Sequence, residues 1–166
     1  MIFRKKRHLI DLYSILLSLS RNKFFYQNVN LPDTFQTRIY LMFMHFSVIL
    51  IIYKKKGKKF DQKSYDYFFH NIENNLREKG LGDVSVNKKM KDLNKILYDI
   101  LLKIENKLTQ TTFKINRKLI NKYFNHFNDP KSDKITIFEK YLTNFYNFCF
   151  ELPSKNMIKE IQNYKF

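Results

Sequence analysis

The residues with the greatest capacity for chemistry in this sequence are its four histidines, its one cysteine and the carboxylates near them. Asp66, His70 and Glu73 are spaced by four and three residues, so a helix would place them on one face as potential metal ligands. A di-iron helix bundle needs Glu-x-x-His motifs from two helices, and the sequence has no second group of this kind. We therefore interpret the group as a solvated helix face with local ion pairs, and we predict no metal and no other cofactor.

The signatures of common enzymes are missing from the sequence. It has no glycine-rich phosphate loop, no G-x-S-x-G nucleophile elbow and no H-E-x-x-H zinc motif. The single cysteine, Cys149, leaves no internal disulfide and no cysteine-rich zinc site. We expect a protein that is not an enzyme and that has no small-molecule substrate.

The chain is strongly basic, with 31 lysines and arginines against 15 acidic residues and a formal net charge of +16. Because 44% of its residues are hydrophobic, a disordered chain is excluded. The densest basic runs favour contact with an anionic membrane or with RNA, and a solvated loop or chain terminus is the alternative. These runs comprise Arg4, Lys5, Lys6, Arg7, Lys54, Lys55, Lys56, Lys58 and Lys59.

The elements that must position these residues are predicted to be helices, because only three Gly and three Pro interrupt the chain. The clearest helix follows a turn at residues 80–83, with Ser85 as its N-cap. Its apolar residues recur at intervals of three and four, namely Met90, Leu93, Leu97, Ile100, Leu101, Ile104 and Leu108. The helix before it spans about 61–79, and Gly80 supplies the left-handed residue at its end. Its inward residues are predicted to be Tyr65, Phe68, Phe69, Ile72 and Leu76.

Five further helices complete the prediction of an all-α fold, a compact bundle of about six to seven helices. The first contains Leu12, Ile15, Leu16 and Leu19, the second runs from Pro32-Asp33 to about Tyr53, and the fifth contains Ile115, Leu119, Ile120, Tyr123 and Phe127 before Asp129-Pro130. The sixth contains Phe138, Tyr141, Leu142, Phe145, Phe148 and Cys149, and a short last helix capped by Ser154 carries Met157, Ile158 and Ile161. We expect a basic N-terminal helix within 1–30 to pack as one unit with a helical domain at 31–166.

The segment 39–53 is apolar on all sides and could be a membrane span or a buried core helix. Fifteen helical residues cover about 23 Å, short of the ~30 Å hydrocarbon core, which favours the core helix. His45 in its middle is then expected to form a hydrogen bond between helices. At its start, Asp33 is predicted to be the N-cap, and Arg38 would need an acidic partner if buried.

Four short motifs in this order resemble those of the ubiquinol-cytochrome c chaperone family. They are Asp33-Thr-Phe-Gln-Thr-Arg38, Met44-His45, Leu76-Arg-Glu-Lys-Gly-Leu-Gly-Asp83 and Lys88-Lys-Met-Lys91. The resemblance covers about residues 30–108, and its specific part is the third motif with the fourth. The chain departs from the family at Asp99-Ile100, where Gly-Arg is expected, and at Lys107-Leu108, where Ala-Leu is expected. Beyond Thr109 no motif is recognised.

The resemblance implies an all-helical, non-catalytic assembly chaperone of the cytochrome bc1 complex, ubiquinol-cytochrome c reductase, that binds newly made cytochrome b as its client. It also implies a peripheral position on the cytoplasmic side of the inner membrane, or on the mitochondrial matrix side. A ribosome or a small co-chaperone is a further partner that mitochondrial relatives suggest, beside the anionic membrane surface. The alternative function is a basic helical module that binds RNA or the ribosome.

The turn at 80–83 lies between two strong helices and should place one group of residues around a corner. We predict that this corner binds the client or a partner through Arg77, Asp83, Lys88, Lys89 and Met90. The alternative is structural: Gly80 and Gly82 take backbone angles that other residues resist, Asp83 caps the next helix and Arg77 pairs locally. The structural part of the motifs would comprise Asp33, Arg38, His45, Gly80 and Gly82.

Overall fold

The computed structural model describes residues 12–105, 113–124 and 132–166, which contain helices and no strand. The all-α prediction is therefore confirmed. In chain order the helices are α1 (12–20), α2 (Lys23–Gln27), α3 (Phe35–Lys55), α4 (Gln62–Glu78), α5 (Asp83–Glu105), α6 (Arg117–Tyr123), α7 (Asp133–Glu151) and α8 (Met157–Glu160), followed by a 3-10 turn at Ile161–Asn163. The short helix α2 was not predicted.

Helix α3 is the centre of the bundle. Every residue from 39 to 49 is buried, and the helix packs mainly against α5 and α7. Its composition and length would also suit a membrane span, yet 78% of its most apolar window is covered by the rest of the chain. This enclosure agrees with the predicted core helix, because a helix without a polar face must be surrounded by apolar neighbours.

The helices around α3 turn the predicted apolar stripes inward. Helix α4 buries Phe68, Phe69, Ile72 and Leu76; α5 buries Val86, Leu93, Leu97, Ile100 and Ile104; and α7 buries Ile135, Phe138, Tyr141, Leu142, Phe145, Tyr146 and Cys149. Tyr65, Met90 and Leu101 are only half-buried, and Leu108 lies outside the described residues. Because each buried side chain of this size contributes about 1.5–3 kcal/mol, these stripes provide the main stabilisation of the bundle.

Two helices end in the same glycine motif. At the end of α4, the N–H of Gly80 donates to the carbonyl of Arg77 (2.9 Å) and the N–H of Leu81 donates to that of Leu76 (3.4 Å). Gly80 has φ of +89°, and Gly57 after α3 has φ of +64° with the equivalent hydrogen bonds. Both residues therefore occupy the left-handed region that favours glycine. The predicted role of Gly80 is confirmed.

The first turn of α3 corrects one predicted cap. Thr34, not Asp33, is the N-cap, and its hydroxyl accepts a hydrogen bond from the N–H of Thr37 (3.1 Å). The Asp33 carboxylate lies 3.5 Å from Nε of Arg38 instead, so it is the acidic partner that Arg38 was expected to need. Arg38 itself is only half-buried.

Two more helix starts differ from prediction. Helix α5 begins at Asp83, because the N–H of Val86 donates to the carbonyl of Gly82 (2.9 Å), so Ser85 lies inside the first turn and is not the N-cap. Helix α8 begins after Asn156 rather than after Ser154, and no side chain caps it. In both cases the first helical turn forms at another position than the predicted cap residue indicated.

Helix α6 is shorter than its apolar spacing predicts. It begins after the N-cap Asn116 and ends at Tyr123, while Ile115 is buried in the non-helical segment before it. Phe127 and Asp129-Pro130 lie outside the described residues. Leu12, Leu16 and Leu19 of α1 belong to the same apolar core as α3, whereas the domain division at residue 30 stays a prediction.

Candidate interaction surfaces

His45 lies in the core and is fully buried. Its Nδ1–H donates to the carbonyl of Leu41 (2.6 Å), and its Nε2 accepts from the hydroxyl of Tyr141 on α7 (2.8 Å). Both ring nitrogens are therefore satisfied by a neutral imidazole, and the predicted hydrogen bond between helices is confirmed. Burial lowers the pKa of His45 to about 4, so the side chain is neutral at physiological pH.

Asp66, His70 and Glu73, the residues considered above as metal ligands, form local contacts on α4 instead. Asp66 accepts a hydrogen bond from the side-chain amide of Gln62 (2.8 Å), and Glu73 pairs with Arg77 (2.8 Å). His70 approaches Glu73 only to 4.0 Å. Within the described residues no three His, Cys, Asp or Glu side chains are placed to hold a metal ion. The arrangement is that of a solvated helix face with ion pairs.

The predicted corner between α4 and α5 contains two kinds of contact. Arg77 bridges Glu73 (2.8 Å) and Asp83 (3.5 Å), and the Asp83 carboxylate lies in the first turn of α5, where a negative charge is favourable. This agrees with local pairing of Arg77, although the pairs are exposed and contribute at most about 1 kcal/mol each. Gly82 has no positive φ and an added Cβ would meet nothing within 4 Å, so the expectation that it needs glycine is wrong.

Lys88 and Lys89 differ from Arg77 in having no ion pair among the described residues. Both are exposed on the first turns of α5, whereas Met90 is half-buried and packs against the core. Met90 is therefore less accessible to a partner than the two lysines. The structure brings Arg77 and Asp83 together, and places Lys88 and Lys89 further along α5.

The outward side of α5 carries apolar residues that the sequence reasoning did not single out. Val84 is 84% exposed, Tyr98 is 55% exposed and Leu102 is 54% exposed. With the exposed lysines between them they form one line on the helix, which we call the α5 stripe: Val84, Lys88, Lys91, Lys95, Tyr98 and Leu102. Their spacing of four and three residues equals that of the buried side, so the sequence itself contained the pattern that identifies this second line of residues.

The lysine run at the end of α3 is partly built into the fold. Nζ of Lys55 lies 5.5 Å from the centre of the Tyr146 ring, and Nζ of Lys56 lies 5.4 Å from that of Phe150. Lys56 also donates a hydrogen bond to the carbonyl of Leu152 beyond α7. Lys58 and Lys59 are exposed and have no ion pair within the described parts of the chain.

Only some of the other basic residues predicted to contact a membrane or RNA lie within the described residues. Lys54 is exposed in the last turn of α3, where a positive charge is favourable at the helix C-terminus. The run Arg4, Lys5, Lys6 and Arg7 lies outside the described residues. Among the described residues of this set, the exposed lysines are Lys54, Lys55, Lys58 and Lys59 at the end of α3.

A polar hollow of about 370 Å³ lies where α1 ends, α2 runs and α3 begins. We call it the α2 hollow; it is lined by Arg21, Lys23, Tyr26, Gln27, Asp33 and Arg38. Burial and the Asp33 carboxylate raise the pKa of Tyr26 to about 12, while Arg38 and Arg21 oppose that change. Asp33, Arg38 and Arg21 therefore all influence the pKa of the Tyr26 hydroxyl. Nothing in the sequence pattern indicated that these residues meet.

The two predicted surfaces lie at opposite ends of α3. Nζ of Lys79, at the corner, lies 4.4 Å from the centre of the Phe35 ring at the start of α3, so the corner and the α2 hollow share that end. The lysine run occupies the other end, and the 21 residues of α3 separate the two by about 31 Å. A flat surface that touches one end would therefore leave the other accessible.

Comparison with known proteins supplies two similarities. The sequence matches the family described as ubiquinol-cytochrome C chaperone over residues 27–162, which extends well beyond the motifs recognised up to residue 108. The fold is similar to the crystal structure of the Cbp3 homolog from Brucella abortus, with a TM-score of 0.65 and 19% identity over 95% of this chain and 91% of that chain. At this identity the likeness concerns the fold alone. No curated protein matches the sequence.

Proposed function

The chain belongs to the ubiquinol-cytochrome c chaperone family, the assembly chaperones of the cytochrome bc1 complex, and we propose on this premise that its client is newly made cytochrome b. Its task is then to hold a hydrophobic chain until assembly, without a chemical reaction. The observation that carries the proposal is the family match, which covers residues 27–162. The exposed apolar residues of α5 are consistent with a hydrophobic client.

The α5 stripe, together with the corner, is the surface that we propose for client contact. An exposed apolar side chain such as Val84 gains about 1.5–3 kcal/mol when it is fully buried against a partner. Since these side chains lie on the exposed side of one helix, a client helix would pack alongside α5 with its ridges in the grooves between them. The lysines of the stripe would then face polar or acidic residues that flank the apolar part of the client.

Reversal of charge at Lys88 and Lys89 tests this surface. We expect the double variant Lys88→Glu/Lys89→Glu to recover about tenfold less cytochrome b in a pull-down, because two favourable charge contacts become repulsive. Its thermal stability should match that of the unchanged protein, since both lysines are exposed and have no ion pair in the described part of the chain. The readouts are cytochrome b by immunoblot and the melting temperature.

The same variant can be assayed in a strain that lacks this chain. The deletion should lower the levels of cytochrome b and of the bc1 complex while other translation continues, and the unchanged protein should restore them. Lys118→Glu/Lys140→Glu, an equal change of charge at exposed positions on α6 and α7, serves as the matched control. Normal bc1 levels in the deletion strain would contradict the function, and an unchanged pull-down would contradict only the surface.

We further propose that the lysine end of α3 holds the protein peripherally on an anionic membrane, on the cytoplasmic or matrix side. Each lysine near such a surface contributes about 1 kcal/mol. Phe150 is 44% exposed beside Lys56, so an aromatic ring is available at the same end for the lipid interface. This orientation keeps the corner about 31 Å away from the lipid and accessible to a client.

Co-sedimentation with vesicles tests the membrane contact. Lys58→Gln/Lys59→Gln is expected to bind vesicles containing anionic lipid about thirtyfold less well than the unchanged protein, because roughly 2 kcal/mol of attraction is lost. Lys118→Gln/Lys140→Gln removes the same charge elsewhere and should bind nearly as well. Equal binding by both double variants would argue against a contact at this end, and retention on neutral vesicles would argue against an electrostatic one.

A further inference from the structure

Gly82, in the turn between α4 and α5, is a glycine that nothing within the described part of the chain requires. The sequence has three glycines, and the other two, Gly57 and Gly80, have φ of +64° and +89°, which the left-handed region explains. Gly82 has no positive φ, and a Cβ added to it would meet nothing within 4 Å. Conformation and internal packing therefore leave this glycine unexplained.

Glycine also allows the backbone of another molecule to come close, because no Cβ stands between the two chains. Gly82 is exposed, so a partner can reach it from solvent. Its carbonyl accepts a hydrogen bond from the N–H of Val86 (2.9 Å), which fixes the turn at the start of α5. The turn thus presents a bare backbone in a defined position.

The residues beside Gly82 are apolar and exposed. Leu81 is 40% exposed, and Val84 is 84% exposed, the largest value among the large hydrophobic residues that the structure describes. Covering such side chains with a partner removes apolar surface from water, which is favourable. The turn therefore combines a point of close approach with two side chains that are stabilised by contact with an apolar surface.

The charges around the turn do not favour an anionic partner. Three acidic and two basic residues give the segment 73–84 a net charge of −1, although the whole chain carries +16. Arg77 pairs with Glu73 (2.8 Å) and Asp83 (3.5 Å), and the second basic residue, Lys79, lies over an aromatic ring at the start of α3. RNA, a phosphate group or an anionic membrane therefore gains no net attraction from this segment, whereas an apolar segment of a protein needs none.

The unpaired lysines of α5 begin further along the helix. Lys88 and Lys89 follow Val84 by four and five residues and have no ion pair among the described residues. They attract the acidic groups of any partner, but their charge gives no reason for a glycine at position 82. The lysines and the turn are therefore two parts of the corner that substitutions can separate.

The form of the partner follows from its polarity. An apolar segment that is shielded from water must satisfy its own backbone hydrogen bonds, which a helix does within one segment. Two helical or turn backbones come close only where small residues meet, because larger side chains hold them apart. An apolar helix with a small residue at the contact point therefore fits the turn at Gly82.

We infer that Gly82 is the point of closest approach for an apolar helix of the client, which crosses the turn and covers Leu81 and Val84. The inference rests on the proposed client surface, and it adds the residue that sets how closely the client lies and the kind of segment that binds there. A side chain at position 82 would hold the helix away from both apolar residues.

A series of side chains at this position tests the inference. Gly82→Ala is expected to weaken cytochrome b binding about fivefold and Gly82→Leu about thirtyfold, because alanine and leucine restrict the backbone alike but differ in size. The apparent Kd comes from the cytochrome b recovered at graded concentrations of the immobilised full chain. The melting temperature of both variants should equal that of the unchanged protein or exceed it slightly, since the added side chain meets no other group.

Gly80→Ala is the contrasting variant two residues away. Its melting temperature should fall, because alanine is strained at φ of +89°. Lost binding without lost stability at position 82 therefore separates a contact with the client from damage to the turn. The ratio between Gly82→Leu and the unchanged protein should also be the same at about 0.1 M and about 0.5 M salt, since an apolar contact is not screened.

The apolar neighbour is tested by a change of polarity at constant shape. Val84→Thr is expected to bind cytochrome b about fivefold more weakly, whereas Ile137→Thr, at a position on α7 that is 37% exposed, should bind as the unchanged chain does.

Two results would overturn the inference alone: equal recovery of cytochrome b by the unchanged protein and Gly82→Leu, or tighter binding by Gly82→Leu. A loss that appears only at low salt would overturn it as well, because the contact would then be electrostatic. If the unchanged protein recovers no cytochrome b, the proposed client is wrong and the inference fails with it.

Discussion

Replacement of Phe46 with alanine is expected to lower the free energy of unfolding by about 3–5 kcal/mol. Phe46 is fully buried in the middle of α3, and its ring centre lies 5.0 Å from that of Phe68, 5.3 Å from that of Phe60 and 5.7 Å from that of Tyr65. Its removal leaves a cavity between three elements that cannot all collapse at once. Denaturant unfolding followed by circular dichroism measures the loss.

The matched control is the replacement of Phe150 with alanine. Phe150 is 44% exposed, and its contacts are the Tyr146 ring at 5.8 Å and the Lys56 ammonium, so the expected loss is about 1 kcal/mol. If α3 were not enclosed by the bundle, Phe46 would contribute no more than Phe150 does. Equal losses in the two variants would therefore contradict the fold around α3.

Acidification is expected to remove about 3 kcal/mol of stability through His45 alone. Its pKa is about 4 in the folded protein and 6.5 when unperturbed, because burial disfavours the charged imidazolium. Above pH 6.5 both states are neutral and the stability is fully present. As the pH falls from 6.5 to 4, only the unfolded state gains the proton, and stability falls by about 1.4 kcal/mol per pH unit. Below pH 4 the folded state is protonated as well and this loss stops.

The variant His45→Gln isolates that contribution. A glutamine amide can still accept from the Tyr141 hydroxyl but does not titrate, so its stability should change little between pH 6.5 and 4. Asp99 is common to both proteins: burial disfavours its charge, but hydrogen bonds from Lys122, Tyr123 and Lys103 lower its pKa below its ordinary 3.8, outside this window. Unfolding free energies measured across the window should therefore diverge. Parallel losses in the two proteins would exclude His45 as the cause.

The helices and their inward sides were predictable because a helix repeats its environment every three to four residues. The stripe from Phe68 to Leu76 and the one from Leu93 to Ile104 are buried as that spacing predicts. The even distribution of apolar residues over 39–49 likewise indicated a helix surrounded on all sides.

The helix ends were predicted less well. Thr34 and Asp33 are both suitable caps, and the backbone decides between them by where the first turn closes. The five-residue helix α2 is too short for periodicity to reveal. Gly80 was correctly interpreted, since only the left-handed turn requires glycine, but Gly82 has an ordinary conformation.

The sequence by itself determined the fold class, the buried faces and the family motifs, because these depend on residue types and spacings along the chain. Only the tertiary structure decided which residues meet. His45 finds its partner 96 residues away at Tyr141, and the α2 hollow brings together cations from the turn after α1, from α2 and from α3. The corner between α4 and α5 and the lysine run lie at opposite ends of α3, and this separation too depends on how the helices pack. Periodicity specifies which side of a helix avoids water, whereas contacts between helices depend on how all the sides fit together.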